Sequence, residues 1–132
     1  MLLIDTHAHL YYDDMYNNLE EVLSDAKLNH VKKIICIGTD LDTSLKSVKI
    51  AEKNENVFAT VGIHPHDSKD VPNDYLMQLE KLSSSKKVVA VGEIGIDNFR
   101  NHSPIDVQKK VMVEQMELAY KLNLPIVFHN RD

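Results

Sequence analysis

The sequence predicts an α/β protein built on a five-stranded parallel sheet with four helices, and three observations carry that prediction. Short apolar runs rich in Val and Ile alternate with helix-period stretches along the whole chain, the mark of repeating β/α units. The runs are continuous, as in Ile34-Ile35-Cys36-Ile37 and Val88-Val89-Ala90-Val91, which suits strands covered on both faces. All four glycines, Gly38, Gly62, Gly92 and Gly95, fall at or just past the C-terminal ends of three of these runs. That is the edge at which α/β proteins gather ligand-binding groups.

The elements follow in order. The first strand is expected over Leu2 to Asp5, and the first helix over Leu19 to Asn29 with Leu19, Val22, Leu23 and Ala26 on one face. A strand over Lys33 to Gly38 contains Cys36, read as a small buried hydrophobe. A helix over Asp42 to Lys53, a strand over Val57 to Ile63, a helix over Asn73 to Leu82 and a strand over Val88 to Glu93 complete the middle of the chain. Ser103 and Pro104 read as the N-cap and first-turn proline of the longest helix, Ile105 to Leu122. Within it Val107, Val111, Leu118 and Leu122 have core-facing spacing, and Met112 and Met116 read as core packing. The last strand is expected over Pro125 to His129, and the pairs Lys32-Lys33, Lys86-Lys87 and Lys109-Lys110 read as solvated faces or strand entrances.

Composition bounds the function. At 132 residues, 43% hydrophobic and 27% charged, the chain reads as one domain with a real core, which excludes disorder and low complexity. Apolar runs are too short to span a bilayer and no leader pattern opens the chain, so no membrane association is expected. The lone cysteine fits a reducing, cytoplasmic setting. A net charge of -5 excludes a basic surface as the means of handling nucleic acid.

The same strand edge collects the chemistry. His7 and His9 follow the first strand, His64 and His66 the third, Glu93 ends the fourth, and His129, Arg131 and Asp132 end the fifth, so five of the seven histidines share one end of the sheet. In extended backbone, residues two apart point to the same side, which lets His7 and His9 reach one metal. With Glu93 and His129 they make a mixed nitrogen and oxygen set suited to Zn, Mn or another borderline divalent ion. Taken singly, each has a plainer reading: His7 and His9 as polar strand ends, Glu93 as a loop carboxylate, His129 as a satisfied core histidine. Their common placement is what argues for a metal. His30 and His102 read as surface residues. No glycine-rich phosphate loop and no nucleophile elbow is present, and Cys36 is badly placed for a nucleophile.

Four ordered segments resemble the signatures of the TatD family of metal-dependent deoxyribonucleases: Ile4-Asp5-Thr6-His7-Ala8-His9-Leu10, Gly62-Ile63-His64-Pro65-His66, Gly92-Glu93-Ile94-Gly95-Ile96-Asp97 and Leu124-Pro125-Ile126-Val127-Phe128-His129-Asn130-Arg131-Asp132. Gln108 and Gln115 fit the pattern as well, whereas Asn98 stands where the family more often has an aromatic residue. The resemblance implies an amidohydrolase-like TIM barrel that hydrolyses DNA phosphodiester bonds with one or two divalent ions, Mg, Mn or Zn. It implies that His7 and His9 hold one metal, that Glu93 bridges or binds both, and that His129 holds the second. His64 would face the substrate phosphate, and Arg131 would support the strand end or the substrate. A further histidine ligand and the general-base aspartate, which the resemblance places in a second half, have no counterpart among these residues. The site is therefore expected to be partial, with no complete catalytic set, and catalysis weak or lost.

A TIM barrel takes about 250 residues, so these 132 correspond to a (βα)4β fragment with an open inner face. Leu3, Val89, Val91 and Val127 are expected to meet water there, at roughly 1.5 to 3 kcal/mol each. Two arrangements relieve this: two copies packed face to face, or a sheet rewound to the flavodoxin-like order 2-1-3-4-5. The alternative function is a non-catalytic α/β module that self-associates and keeps only a vestigial metal site.

Overall fold

A computed structural model describes residues 1–132. The elements run β1 (Leu3–Ala8), α1 (Asp13–Tyr16), α2 (Leu19–Leu28), β2 (Val31–Ile37), α3 (Leu41–Lys53), β3 (Val57–Val61), a 3-10 turn (Pro65–Asp70), α4 (Tyr75–Leu82), β4 (Val88–Asp97), α5 (Ile105–Leu122) and β5 (Ile126–Arg131). All five strands are parallel and lie in the order β1-β2-β3-β4-β5. The rewound order 2-1-3-4-5 is thus not adopted. Right-handed connections in sequential order return every helix to the same face, which is the geometry of a barrel sector.

The core lies between that face and the helices. Ile34, Cys36, Val57, Ala59 and Val61 of the sheet meet Val48 and Ala51 of α3, Leu79 of α4, and Val111 and Leu118 of α5. The α2 positions Leu19, Val22, Leu23 and Ala26 pack against the same cluster from its margin, as their spacing predicts. Asp40 caps α3: its carboxylate accepts from the Thr43 N–H at 2.7 Å while Thr43 Oγ1 accepts from the Asp40 N–H at 2.9 Å, a reciprocal box that fixes where the helix begins.

Several expectations are corrected. The strand expected to stop at Glu93 continues to Asp97, so Glu93 sits inside β4. The first strand runs on to Ala8 and includes His7. Val91 does not meet water; it is fully buried with Ile94 and Ala119 of α5. Leu3 is exposed, and Val89 and Val127 are half-buried. Ser103 does not cap α5. It is buried instead, with its hydroxyl donating to the His66 carbonyl at 2.8 Å and accepting from the Lys69 N–H at 3.1 Å. Met116 is exposed rather than packed in the core. Lys87, by contrast, stands at the entrance of β4 as expected, its ammonium donating to the carbonyls of Asn54, Glu55 and Val57 at 3.0, 2.7 and 3.1 Å. No helix is long and apolar enough to cross a membrane.

α5 does more than cover the sheet. Gln108 and Gln115 are seven residues apart, two helical turns, and so share its sheet-facing side; both are fully buried. Gln115 Oε1 accepts from the Ile63 N–H at 2.7 Å and its Nε2 donates to the Ile63 carbonyl at 3.1 Å. Gln108 does the same to Asp97, at 2.8 and 3.2 Å, and also donates to the Ser103 carbonyl at 2.7 Å. Two strand ends are thereby pinned to one helix. Gln115→Leu keeps the volume but leaves both Ile63 backbone groups unpaired in a dry site, at about 1 to 3 kcal/mol for each stranded group. Urea denaturation should show a loss of about 2 kcal/mol or more, and wild-type stability in that variant would remove the pinning role.

Candidate metal centre

Two hydrogen bonds to the backbone fix the carboxylate at the centre of the site. Gly92 and Glu93, joined by a cis peptide, are held by the Thr60 hydroxyl, which donates to the Gly92 carbonyl at 2.6 Å, and by the Gly38 carbonyl, which accepts from the Glu93 N–H at 2.9 Å. His64 enters from the turn after β3, its N–H donating to the Thr39 carbonyl at 2.7 Å. Within β4, residues 93, 95 and 97 follow the period-two alternation of a strand, with Gly95 between the two carboxylates. Gly95 pairs with His129 of β5, and its φ of 149° lies where side chains are disfavoured. A Cβ there would fall on the His129 carbonyl oxygen. The glycine is therefore the gap through which His129 comes close to both carboxylates.

The side chains form a chain of contacts. Glu93 directs one oxygen at His7 Nε2, 3.5 Å away, and the other at His129 Nδ1, 3.2 Å away. His129 Nε2 lies 3.1 Å from Asp97 Oδ2, which also lies 2.8 Å from His66 Nε2. The ring of His64 packs edge-on against those of His66 and His129, with centroids 4.3 and 4.4 Å apart. Two groups have ligand atoms all within 4.8 Å of one another: His7, His9 and Glu93, and His64, Glu93 and His129. Glu93 belongs to both, so its carboxylate is where two such groups meet.

Protonation follows from the partners. His9 Nδ1 faces the Tyr11 hydroxyl at 2.7 Å and the Ile37 carbonyl at 3.2 Å. A hydrogen on Nδ1 satisfies both, since a hydroxyl accepts as well as donates, and Nε2 is left bare for a metal. Burial lowers the pKa of His9 and, joined by the neighbouring His129 and His66, drives that of His64 down to about 3, so both rings are neutral at pH 7. Burial alone would raise the Asp97 carboxyl, but the Arg100 amide and the two imidazoles win and hold it below the usual carboxylate range. The Tyr11 phenol is pushed up to about 12 by burial and keeps its proton.

The structure therefore brings together His7, His9, His64, Glu93 and His129. Arg131 stands apart from the histidines, its guanidinium 4.3 Å over the Phe99 ring, and Asp132 accepts from Asn98 Nδ2 at 3.4 Å. His102 is exposed, as expected, yet its ring packs edge-on against His66, with centroids 4.6 Å apart. Asp97 and His66 were given no role from sequence. The available signal was the spacing Glu-x-Gly-x-Asp, which places two carboxylates and a gap on one face of a strand once that strand is allowed to run through its glycines.

The TatD related DNase family matches residues 4–132. An uncharacterized metal-dependent hydrolase of Bacillus subtilis, YabD, is 40% identical over 99% of this chain and 51% of its own length. A 3'-5' ssDNA/RNA exonuclease TatD of Cronobacter sakazakii is 34% identical over 98% of this chain and 49% of its own length. The solved structure of YJJV, a TatD homologue from Escherichia coli, superposes with a TM-score of 0.91 at 32% identity, covering 98% of this chain and 51% of that one. The chain spans about half the length of the curated relatives it matches. Matched along nearly its whole length in sequence and backbone, the chain belongs to the TatD-related DNase family.

Proposed function

We propose that these residues supply the metal-binding and phosphate-facing half of a TatD-type phosphodiesterase. The observation that carries the reading is Glu93, whose two oxygens face imidazoles from different strands at 3.5 and 3.2 Å. A shared carboxylate with nitrogen donors on either side is a fitting donor set for one or two divalent ions, with Mg, Mn and Zn as candidates. When bound, such an ion neutralises phosphate charge and makes water a nucleophile at neutral pH. His7 and His9 would hold the first ion with Glu93, and His129 would hold the second. His64 has a different part. Its Nδ1 accepts from the His66 N–H at 3.2 Å, so the neutral ring carries its hydrogen on Nε2 and donates to a phosphate oxygen. Arg131, on its aromatic shelf, adds positive charge at the rim for a DNA strand.

By themselves the 132 residues bind the metal and turn substrate over weakly or not at all. Calorimetric titration with Zn or Mn should show binding that Glu93→Gln weakens at least about tenfold, and an unchanged isotherm in that variant would end the metal-centre reading. Hydrolysis of single-stranded DNA that needs added Mg or Mn, stops with chelator and disappears in Glu93→Gln would show that turnover survives in this half alone.

A second property is proposed for the chain on its own, self-association through the open face, because Leu3 of edge strand β1 is 41% exposed. Sedimentation equilibrium should give the mass of a dimer; a monomer at high micromolar concentration would dismiss it.

Acidification tests the site's electrostatics without metal. Between pH 6.5 and 3 the unfolded chain takes a proton at His64 that the folded chain refuses, so this contribution is intact above pH 6.5 and is lost as pH falls toward 3. Asp97, with its depressed pKa, adds a loss only below the ordinary Asp range near 3.8. Urea midpoints of the metal-free chain should fall from pH 7 to pH 5. His64→Asn, which keeps an acceptor for the His66 amide, should flatten the slope; an equal slope would show that His64 titrates normally.

A further inference from the structure

We infer that Asp97 is a positioning residue for the metal centre, dictating which nitrogen of His129 is left bare to bind a metal; this rests on the metal-centre reading above. Asp97 is completely buried. Its Oδ1 accepts from the backbone N–H groups of Phe99 and Arg100, at 3.0 and 2.7 Å. Its own backbone N–H and carbonyl are taken by Gln108. The side chain can neither rotate nor retreat without stranding several buried partners. What remains is Oδ2, placed 2.8 Å from His66 Nε2 and 3.1 Å from His129 Nε2.

An ionised carboxylate only accepts, so both facing nitrogens carry hydrogens. For His129 this settles the tautomer. With Nε2–H donated to Asp97, a neutral ring has a bare Nδ1, and that atom faces Glu93 Oε1 at 3.2 Å. Two acceptors so close, with no hydrogen between them, repel unless a cation joins them. The arrangement is that of a ligand held ready, and Asp97 creates it from the far side of the ring. His66, gripping the same oxygen, helps keep the carboxylate aimed. Its carbonyl is in turn tied to the Ser103 hydroxyl, and Ser103 to Gln108, so the aiming device closes on itself through α5.

The variant Asp97→Asn separates this role from simple support. Asn has the same shape, and its carbonyl oxygen can still accept from Phe99 and Arg100. Its amide would then present hydrogens, in place of an acceptor, to the two imidazoles. His129 should respond by moving its hydrogen to Nδ1, aimed at Glu93, which blocks that nitrogen for metal. In the metal-free chain labelled with 15N-histidine, long-range proton–nitrogen correlation should show His129 as the Nε2–H tautomer in the wild type and as the Nδ1–H tautomer in Asp97→Asn. Zinc titration of the same samples should show about 10- to 100-fold weaker binding in the step that His129→Ala abolishes, with the step that depends on His7 and His9 retained. A wild-type His129 found with its hydrogen on Nδ1 overturns the inference, and this holds even if Asp97→Asn fails to fold. An unchanged tautomer and unchanged zinc affinity in a folded Asp97→Asn also overturn it. Should the wild type bind no zinc while its tautomer is as stated, the metal-centre reading fails and the control of His129 by Asp97 stands.

Discussion

The geometry of the site depends on two buried amides. Gln108 and Gln115 each read a backbone N–H and a backbone carbonyl at the end of a strand, one at Asp97 and one at Ile63. A primary amide offers a donor and an acceptor side by side, which is what an unpaired peptide unit requires. Because both amides sit on one helix, the turn carrying His64 and His66 and the end of the strand carrying Glu93 and Asp97 are fixed relative to a single rigid body. Every buried side-chain polar atom in the chain has a partner, so this fixing leaves no compensating strain in hydrogen bonding.

On that frame the electrostatics prepare a place for positive charge. Burial keeps His9 and His64 neutral, and the backbone amides beside Asp97 help to keep it ionised. The result is a cluster rich in bare imidazole nitrogens and carboxylate oxygens, with no lysine or arginine ammonium or guanidinium paired to either carboxylate. A chain of net charge -5 has no overall basic excess, yet it holds a local donor set that a divalent ion would turn positive.

Much of this was legible in the residues. All five strands and all four expected helices are present, because continuous apolar runs and helical spacing report burial directly. The co-location of His7, His9, His64, Glu93 and His129 was legible because a parallel sheet sends every strand's C-terminal end to one edge. What was missed has a common cause. Gly92 and Gly95 read as strand ends, since glycine punctuates strands more often than it continues them. Here their lack of a side chain serves close approach, at Val127 for one and at His129 for the other, so β4 runs on and Asp97 arrives in the site. Ser103 looked like a helix cap because local spacing cannot reveal that a hydroxyl is claimed by a backbone carbonyl 37 residues away. Met116 lies four residues from Met112, but the packed stripe of α5 is narrower than that pairing assumes.

The two halves of the ligand set are not equally held. Glu93, Asp97 and His64 stand on a strand and a turn bound to α5, and His129 stands on β5, which pairs along β4, with Glu93 13% and His129 20% exposed. His7 comes from β1 and His9 from just past its end, and β1 is an edge strand that pairs only with β2, through an irregular register, and is exposed along Leu3 to His7. Preorganisation demands that a ligand's position be decided before the ion arrives, by contacts that do not involve the ion. The β4–β5 side meets that demand, since His129 is held at Nε2 by Asp97, whose other oxygen is itself held by the Phe99 and Arg100 amides. On the β1 side His9 Nδ1 is held by Tyr11 and Ile37, while the His7 ring has Glu93 as its polar side-chain partner and rests edge-on against His9. Order in the centre therefore spreads outward from Asp97 and Glu93, and the edge strand takes its final position from the carboxylate it shares.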